Sequence, residues 1–330
     1  MASVEQAVID TGIDNTMDQD FLDDVIGGLS KSQKTLPCKY FYDEKGSQLF
    51  EQICETPEYY VTRTERQLYR HYAAEMAEYI GDKALIIEPG AGSVKKIALL
   101  LAALDNPAGF IPMDISPEML QHSSEALSQQ FPQLDINPVV ADFLDQAAVG
   151  SLLATLPAAP MVNKRVIFFP GSTIGNFSPD DAQAFLNSFA SQLKPGDGLL
   201  IGVDLIKDID ILENAYNDAE GVTANFNLNL LQRINSELKA NFLLENFDHK
   251  ALFNQEKHRI EMHLISEVKQ KVELADQVIH FDQHETIHTE NSYKYSINTF
   301  SVLADKAGFK HENSWQDPKG LFGVHYFSVY

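Results

Sequence analysis

Leu85-Ile86-Ile87-Glu88-Pro89-Gly90-Ala91-Gly92-Ser93-Val94-Lys95-Lys96 is the stretch on which the fold turns. Ala84 to Ile87 is an unbroken apolar run, the pattern of a strand buried on both faces of a parallel sheet. An acidic residue ends the run, a Gly-x-Gly turn follows, and Val94 to Leu104 takes up helical apolar spacing. Strand, glycine turn and helix form the geometry that presents backbone N–H groups and a helix N-terminus to a nucleotide-like ligand. The dinucleotide fingerprint G-x-G-x-x-G is incomplete here, because Lys95 stands where the third glycine belongs.

Downstream of that stretch the sequence alternates regularly between strand and helix patterns. Gly109 to Asp114 predicts a short strand ending on an acid, and Ser116-Pro117-Glu118 an N-cap with proline at N1 for a helix to about Gln130. Ile136 to Val140 predicts a third strand, closed by Ala141-Asp142-Phe143, and Arg165 to Pro170 a fourth, followed by the loop Gly171 to Phe177. Ser178-Pro179 caps the next helix, and Leu199 to Asp204 is the fifth strand. Such alternation predicts an α/β fold with five parallel strands. Phe309 to Trp315 and Leu321 to Tyr330 close the sheet as an antiparallel hairpin.

Between them the rhythm changes. Ile209 to Ala219 and Ala224 to Leu238 read as helices, while His258 to Ser266, Glu273 to Phe281 and Glu285 to Ser292 read as strands of a separate sheet. Upstream lies a polar lead-in to about residue 35 with a short amphipathic helix around Asp18 to Leu29. An aromatic-rich segment then runs from Tyr40 to Tyr60, and a helix to Tyr79 whose pattern suggests Thr62 as N-cap and Glu65 as its capping-box partner. Aromatics so close in sequence either pack a core or line a pocket.

The chain has 330 residues with 44% hydrophobic content, enough for a large core and for two domains. A formal net charge of −22 disfavours nucleic-acid partners. No apolar run approaches the roughly 18 to 20 residues of a membrane span. The acidic N-terminus lacks the basic and apolar regions of a signal peptide. Cys38 and Cys54 have no metal-ligand spacing and read as reduced thiols, so the sequence suggests a cytoplasmic protein without a metal.

In an open parallel sheet, ligands bind at the carboxyl ends of the strands. Those ends carry Glu88 with Gly90 and Gly92, then Asp114, Asp142-Phe143, and the loop from Gly171 to Asn176. Asp114 falls where an acid accepts ribose hydroxyls, and Asp142 beside Phe143 offers an acceptor and an aromatic face for adenine. An adenosine cofactor follows. The missing third glycine turns that expectation away from a dinucleotide, and the closing antiparallel hairpin with Asp142 after the third strand resembles the Rossmann-like class I methyltransferase sheet, a resemblance that implies S-adenosyl-L-methionine.

The likeness then narrows. Tyr40-Phe41-Tyr42-Asp43, Pro57-Glu58-Tyr59-Tyr60-x-Thr62-Arg63-Thr64-Glu65, Glu88-Pro89-Gly90-Ala91-Gly92, Pro170-Gly171-Ser172-Thr173-Ile174-Gly175-Asn176-Phe177 and Gly221-Val222-Thr223-Ala224-x-Phe226-Asn227 resemble the L-histidine Nα-methyltransferase family of ergothioneine biosynthesis. Val61 stands where that family usually has proline. The resemblance implies S-adenosyl-L-methionine as co-substrate, with Glu88, Gly90, Gly92, Lys96, Asp114, Asp142 and Phe143 around it and Lys96 meeting its carboxylate. It implies L-histidine as substrate and the trimethylated betaine hercynine as product. Asn176 and Tyr216 would grip the α-carboxylate, Glu290 and Ser292 would read the imidazole with Tyr59 on its other side, and Gly171 would line the site. Tyr42, Tyr59 and Asn176 would position rather than catalyse, and no proton acceptor is identifiable.

Read from the residues alone, Lys96 could equally be a solvated helix lysine, Ser292 a strand hydroxyl and Tyr216 a helix-surface phenol. The expected division is a cofactor domain at 63–204 and 296–330 and a substrate or lid domain at 1–62 and 205–295. The expected partner is a small amino acid, with neither nucleic acid nor membrane, and the expected state a monomer. Rival readings are an N-methyltransferase for another aromatic amino acid or a histidine derivative, and a non-catalytic cofactor-binding protein.

Overall fold

The computed structural model describes residues 17–92, 94–145, 149–150, 153 and 162–330. Most of the lead-in before the first helix, and Ser93 of the glycine turn, lie outside them. The chain forms two compact units. One contains Thr64–Leu205 and Tyr295–Tyr330, the other residues 17–63 and 206–294 among those described.

The first unit is built on a seven-stranded sheet. Its strands are β2 (Ala84–Pro89), β3 (Gly109–Asp114), β4 (Val139–Val140), β5 (Lys164–Phe169), β6 (Gly198–Asp204), β12 (Phe309–Gln316) and β13 (Phe322–Val329), in the order β12-β13-β6-β5-β2-β3-β4. The five strands from β6 to β4 are parallel, and β13 and β12 each join antiparallel. Every residue of β2 and of β6 is buried, as their apolar runs require of strands covered on both faces. The strand order reverses between β2 and β5, which makes the carboxyl end of β2 the switch point of the sheet.

The helices begin where their caps dictate. Ser116 accepts a hydrogen bond from the Met119 N–H at the start of α5 (Pro117–Gln130), and Ser178 one from the Asp181 N–H at the start of α6 (Pro179–Ala190). Ser296 and Thr299 form a reciprocal capping box on α9 (Ile297–Lys306). The expected capping pair Thr62 and Glu65 does not form. Helix α3 spans Tyr60–Ile80, so Glu65 lies inside it, and its carboxylate is fully buried in the first unit. The third parallel strand is also shorter than its pattern suggested, since Ile136 contributes only a bridge to Phe110.

The second unit holds a four-stranded sheet, β1 (Lys34–Thr35), β11 (Thr286–Tyr293), β8 (Arg259–Ser266) and β7 (Phe247–Asn254), in the order β1-β11-β8-β7. The run Glu273 to Phe281 is two strands rather than one. β9 (Gln270–Leu274) and β10 (Gln277–Phe281) form a hairpin around Ala275, whose φ of 48° makes a turn where the apolar alternation suggested continuity. Helices α1 (Met17–Leu29), α2 (Glu44–Ile53), α7 (Ile209–Asn214) and α8 (Val222–Leu238) belong to this unit. Much of the aromatic segment packs: Phe41 stacks on Phe226 at 4.5 Å and Tyr40 lies 4.2 Å from Phe21.

Gly202 marks the tightest approach in the first unit. A Cβ there would lie 2.1 Å from a Glu65 carboxylate oxygen. Gly202→Ala should therefore destabilise the protein by about 1–3 kcal/mol through overpacking, measured as a lower urea midpoint. Gly92→Ala, whose Cβ would meet nothing within 4 Å, is the matched control and should leave the midpoint unchanged.

Candidate active site

The glycine turn is used differently from a phosphate cradle. Gly90 and Ala91 both donate their N–H groups to the Met113 carbonyl at the end of β3, and Gly92 donates to the Gly90 carbonyl. A ligand without a pyrophosphate at this point needs no such N–H groups, which agrees with the missing third glycine. Gly90 has φ +74°, and a Cβ on it would stand 3.1 Å from the Phe143 ring, so glycine is required by both backbone and packing. The structure thereby brings Gly90 and Phe143 together.

Burial raises the pKa of two of these acids, Glu88 and Asp114. Glu88 is driven well above the carboxylate range, with Glu65 and Asp114 adding to the effect of burial and Lys96 opposing it. Its Oε2 is buried without a hydrogen-bond partner. Asp114 is raised by burial against the N–H groups of Ser116 and Ile115, and one of its oxygens accepts from Ser116 at 2.9 Å. Asp142 accepts the Leu144 N–H at 2.8 Å, which fixes the turn that carries Phe143. An unpaired carboxyl oxygen at the switch point, acids on the next two strand ends and an aromatic face fit a hydroxylated adenosine ligand.

Lys96 has a protein partner. Its ammonium pairs with Glu65, and both side chains are largely shielded, with 14% and 0% of their surface exposed. The two Glu65 oxygens also accept the N–H of Gly171 at 2.9 Å each, and Tyr69 donates to one of them at 3.3 Å. Gly171 itself has φ +84°. Asn176 follows on a short 3-10 turn, Thr173–Asn176.

In the second unit, Tyr42, Tyr59, Tyr216, Glu290 and Ser292 are neighbours. The Tyr59 and Tyr216 rings meet edge-on at 6.0 Å, and Tyr42 packs against Phe50 and Phe226. Burial pushes the Tyr42 and Tyr59 phenols well above their usual pKa, with Glu290 among the groups adding to it, so both stay protonated. Burial pushes the Glu290 carboxyl up to about 7 against the pull of the Lys294 ammonium.

Tyr216, Ser292 and Lys294 form a closed triangle. Tyr216 donates its O–H to Ser292 Oγ at 2.8 Å, while Lys294 donates to the same Oγ at 2.8 Å and to the Tyr216 oxygen at 3.0 Å. A hydroxyl accepts through two lone pairs, and both on Ser292 are now filled, which leaves its own O–H to donate. Behind Tyr216, His249 Nε2 donates to the Tyr216 carbonyl at 2.8 Å, and its Nδ1 accepts from Asn227 at 2.9 Å. Lys294 and His249 were not singled out in the sequence. Lys294 had a signal, since Glu290, Ser292 and Lys294 are alternate residues along one extended stretch. His249 and Glu65 had none, because their partners are distant in sequence.

The sheet order, with its acids and glycine at the switch point, defines a Rossmann-like, S-adenosylmethionine-dependent methyltransferase. Residues 21–329 match the family described as histidine-specific, SAM-dependent methyltransferase, and the chain belongs to that family. It is 40% identical over 306 residues to the histidine N-alpha-methyltransferase of Mycolicibacterium smegmatis, covering 91% of this chain and 92% of that one. The protein of the same name from Mycobacterium tuberculosis is 38% identical, with the same coverage. Ergothioneine biosynthesis protein 1 of Neurospora crassa is 31% identical over 86% of this chain and 32% of its own.

The Glu65–Lys96 pair generates a prediction. Lys96→Met would leave a buried carboxylate without its cation, at a cost of about 3–5 kcal/mol. Urea unfolding should show that loss, while Glu65→Gln with Lys96→Met together should recover much of it.

Proposed function

We propose that the protein transfers methyl groups from S-adenosyl-L-methionine to the α-amine of L-histidine, giving trimethylated hercynine in ergothioneine biosynthesis. The observation that carries this reading is the donor and acceptor pair on β11. Glu290 accepts, and Ser292, with both lone pairs filled, donates. A neutral imidazole carries one N–H and one bare nitrogen and satisfies both groups, whereas an indole offers only an N–H and a phenyl ring neither. A carboxyl pushed up to about 7 also matches an imidazole, so one proton can be shared between the carboxyl and the ring without leaving either group unpaired.

In this reading the first unit holds the cofactor. Asp114 accepts the ribose hydroxyls, Asp142 the adenine amine, Phe143 faces the ring, and Glu88, Gly90 and Gly92 border it. Lys96, already paired with Glu65, presents its remaining N–H donors to the cofactor carboxylate. When bound, the cofactor supplies a methyl group on a sulfonium. Asn176 and Tyr216 offer neutral donors to the histidine carboxylate, Gly171 holds the loop that carries Asn176, and Tyr59 and Tyr42 orient the amino acid. The α-amine must shed its proton before it attacks, and the protonated phenols of Tyr42 and Tyr59 make these residues positioning groups rather than bases. Rate should therefore depend mainly on alignment. A reducing, cytoplasmic setting suits Cys38 and Cys54, neither of which is in a disulfide.

Incubation with S-adenosylmethionine and single amino acids, read by mass spectrometry, tests the reading. Histidine should gain three methyl groups and tryptophan none; mass gain on tryptophan alone would reject the substrate. Glu290→Ala should abolish measurable histidine binding by calorimetry while S-adenosylhomocysteine still binds. Lys294→Met, which releases a lone pair on Ser292, should raise KM for histidine about 10- to 100-fold with little change in cofactor affinity.

A further inference from the structure

Three side chains outside the proposed substrate site converge on one face of the second unit's sheet. Glu261 and His263 are alternate residues of β8, and antiparallel pairing sets His288 of β11 directly opposite His263. Ile260, Met262 and Leu264, the intervening residues of β8, are buried on the other face. One ligand atom from each of Glu261, His263 and His288 lies within 4.8 Å of the others. The two imidazole rings stack with centroids 4.7 Å apart and planes 20° apart. We propose that Glu261, His263 and His288 form a binding site for a divalent transition-metal ion of the zinc type.

The chemistry of the three donors supports it. His288 Nε2 lies 3.0 Å from the Glu290 carbonyl, which can only accept, so that nitrogen carries the proton and Nδ1 keeps its lone pair. A metal-binding imidazole is commonly oriented in this way, by a carbonyl on its other nitrogen. His263 has a buried Nδ1 without a partner, and its Nε2 faces Glu261 Oε2 at 3.3 Å, longer than the roughly 2.7–2.9 Å of a charge-assisted hydrogen bond. Burial lowers the pKa of both histidines, the direction that favours the neutral ring a metal binds. Burial would raise Glu261, but hydrogen bonds from Arg259 and His263 hold it below its usual value, and it stays a carboxylate.

The neighbouring charges set the strength of the site. Arg259 and Asn254 bind Glu261 Oε1, which leaves Oε2 toward the histidines. Lys250 lies opposite His263, and Asn291 opposite Glu261, in the strand register. The Arg259 guanidinium paired with Glu261 offsets part of the carboxylate charge and so weakens the attraction of the site for a cation. Ligands of one tetrahedral zinc stand about 3.4 Å apart, so closure needs a side-chain movement of an ångström or so. Two imidazoles and one carboxylate favour zinc, nickel or cobalt over magnesium or calcium.

Isothermal titration of tag-free, chelator-treated protein with zinc chloride, in the absence of free histidine, tests the proposal. One equivalent per chain should bind, and His263→Ala with His288→Ala should remove it. Glu261→Gln, which keeps the shape of the side chain, should weaken it about 10-fold or more while circular dichroism stays unchanged. The chain has ten histidines, so zinc bound with the same stoichiometry and affinity in these variants would place the ion elsewhere and overturn the site. No saturable binding in the wild-type protein would overturn it equally. If the double variant fails to fold, Glu261→Gln and His288→Gln, read by zinc-induced thermal shift, decide the matter.

Discussion

A fully buried carboxylate, Glu65, organises the first unit. From the second turn of α3 it meets the ammonium of Lys96, the backbone N–H of Gly171, the phenol of Tyr69 and the bare backbone of Gly202. Four stretches of chain that carry or border the candidate cofactor residues are thus referenced to one group. A charge at such depth is tolerated only with full compensation, and here a cation, two approaches of one N–H and a phenol supply it. Gly202 has no room for a side chain for the same reason. The cost of removing any one partner is what makes the arrangement specific, because alternative packings of these elements would leave the carboxylate unpaired.

The second unit uses the same principle with opposite signs of demand. There the groups that would bear on recognition in the proposed function are Glu290 and Ser292. Glu290 is raised toward neutrality by burial, and Ser292 is saturated as an acceptor so that only donation remains to it. In the proposed function, filling both lone pairs of the Ser292 hydroxyl would direct its O–H toward a ligand with a matching lone pair. Lys294 does this without standing as an isolated charge, since its ammonium is counterbalanced electrostatically by Glu290.

Legibility in the sequence followed the range of the interaction. The five parallel strands and the closing antiparallel hairpin were readable because apolar runs, glycine turns and Ser-Pro caps are local, and Ser116 and Ser178 cap their helices as their spacing indicates. Elements failed where a distant partner outweighed a local preference. Glu65 has the spacing of a capping residue, but a buried cation thirty-one positions away determines its place. Glu273 to Phe281 keeps strand-like alternation across a turn that depends on Ala275 adopting positive φ, which composition does not announce. His263 and His288 are unremarkable in sequence because only strand register unites them.

The glycine turn illustrates how a shared scaffold is re-specified. Its shape is that of a nucleotide-binding loop, yet its N–H groups are bonded to Met113 and to Gly90. What would hold a pyrophosphate is closed, and in the proposed function the ligand would instead meet the carboxyls of Glu88, Asp114 and Asp142. Acceptors suit a cofactor that presents hydroxyls, an amine and a sulfonium, and a turn already satisfied internally offers nothing to a phosphate-rich competitor. The same substitution that breaks the dinucleotide fingerprint, Lys95 for glycine, therefore costs this ligand nothing. Under that proposal, discrimination between cofactors would come from which backbone donors the fold has already used, not from the presence of the glycines themselves.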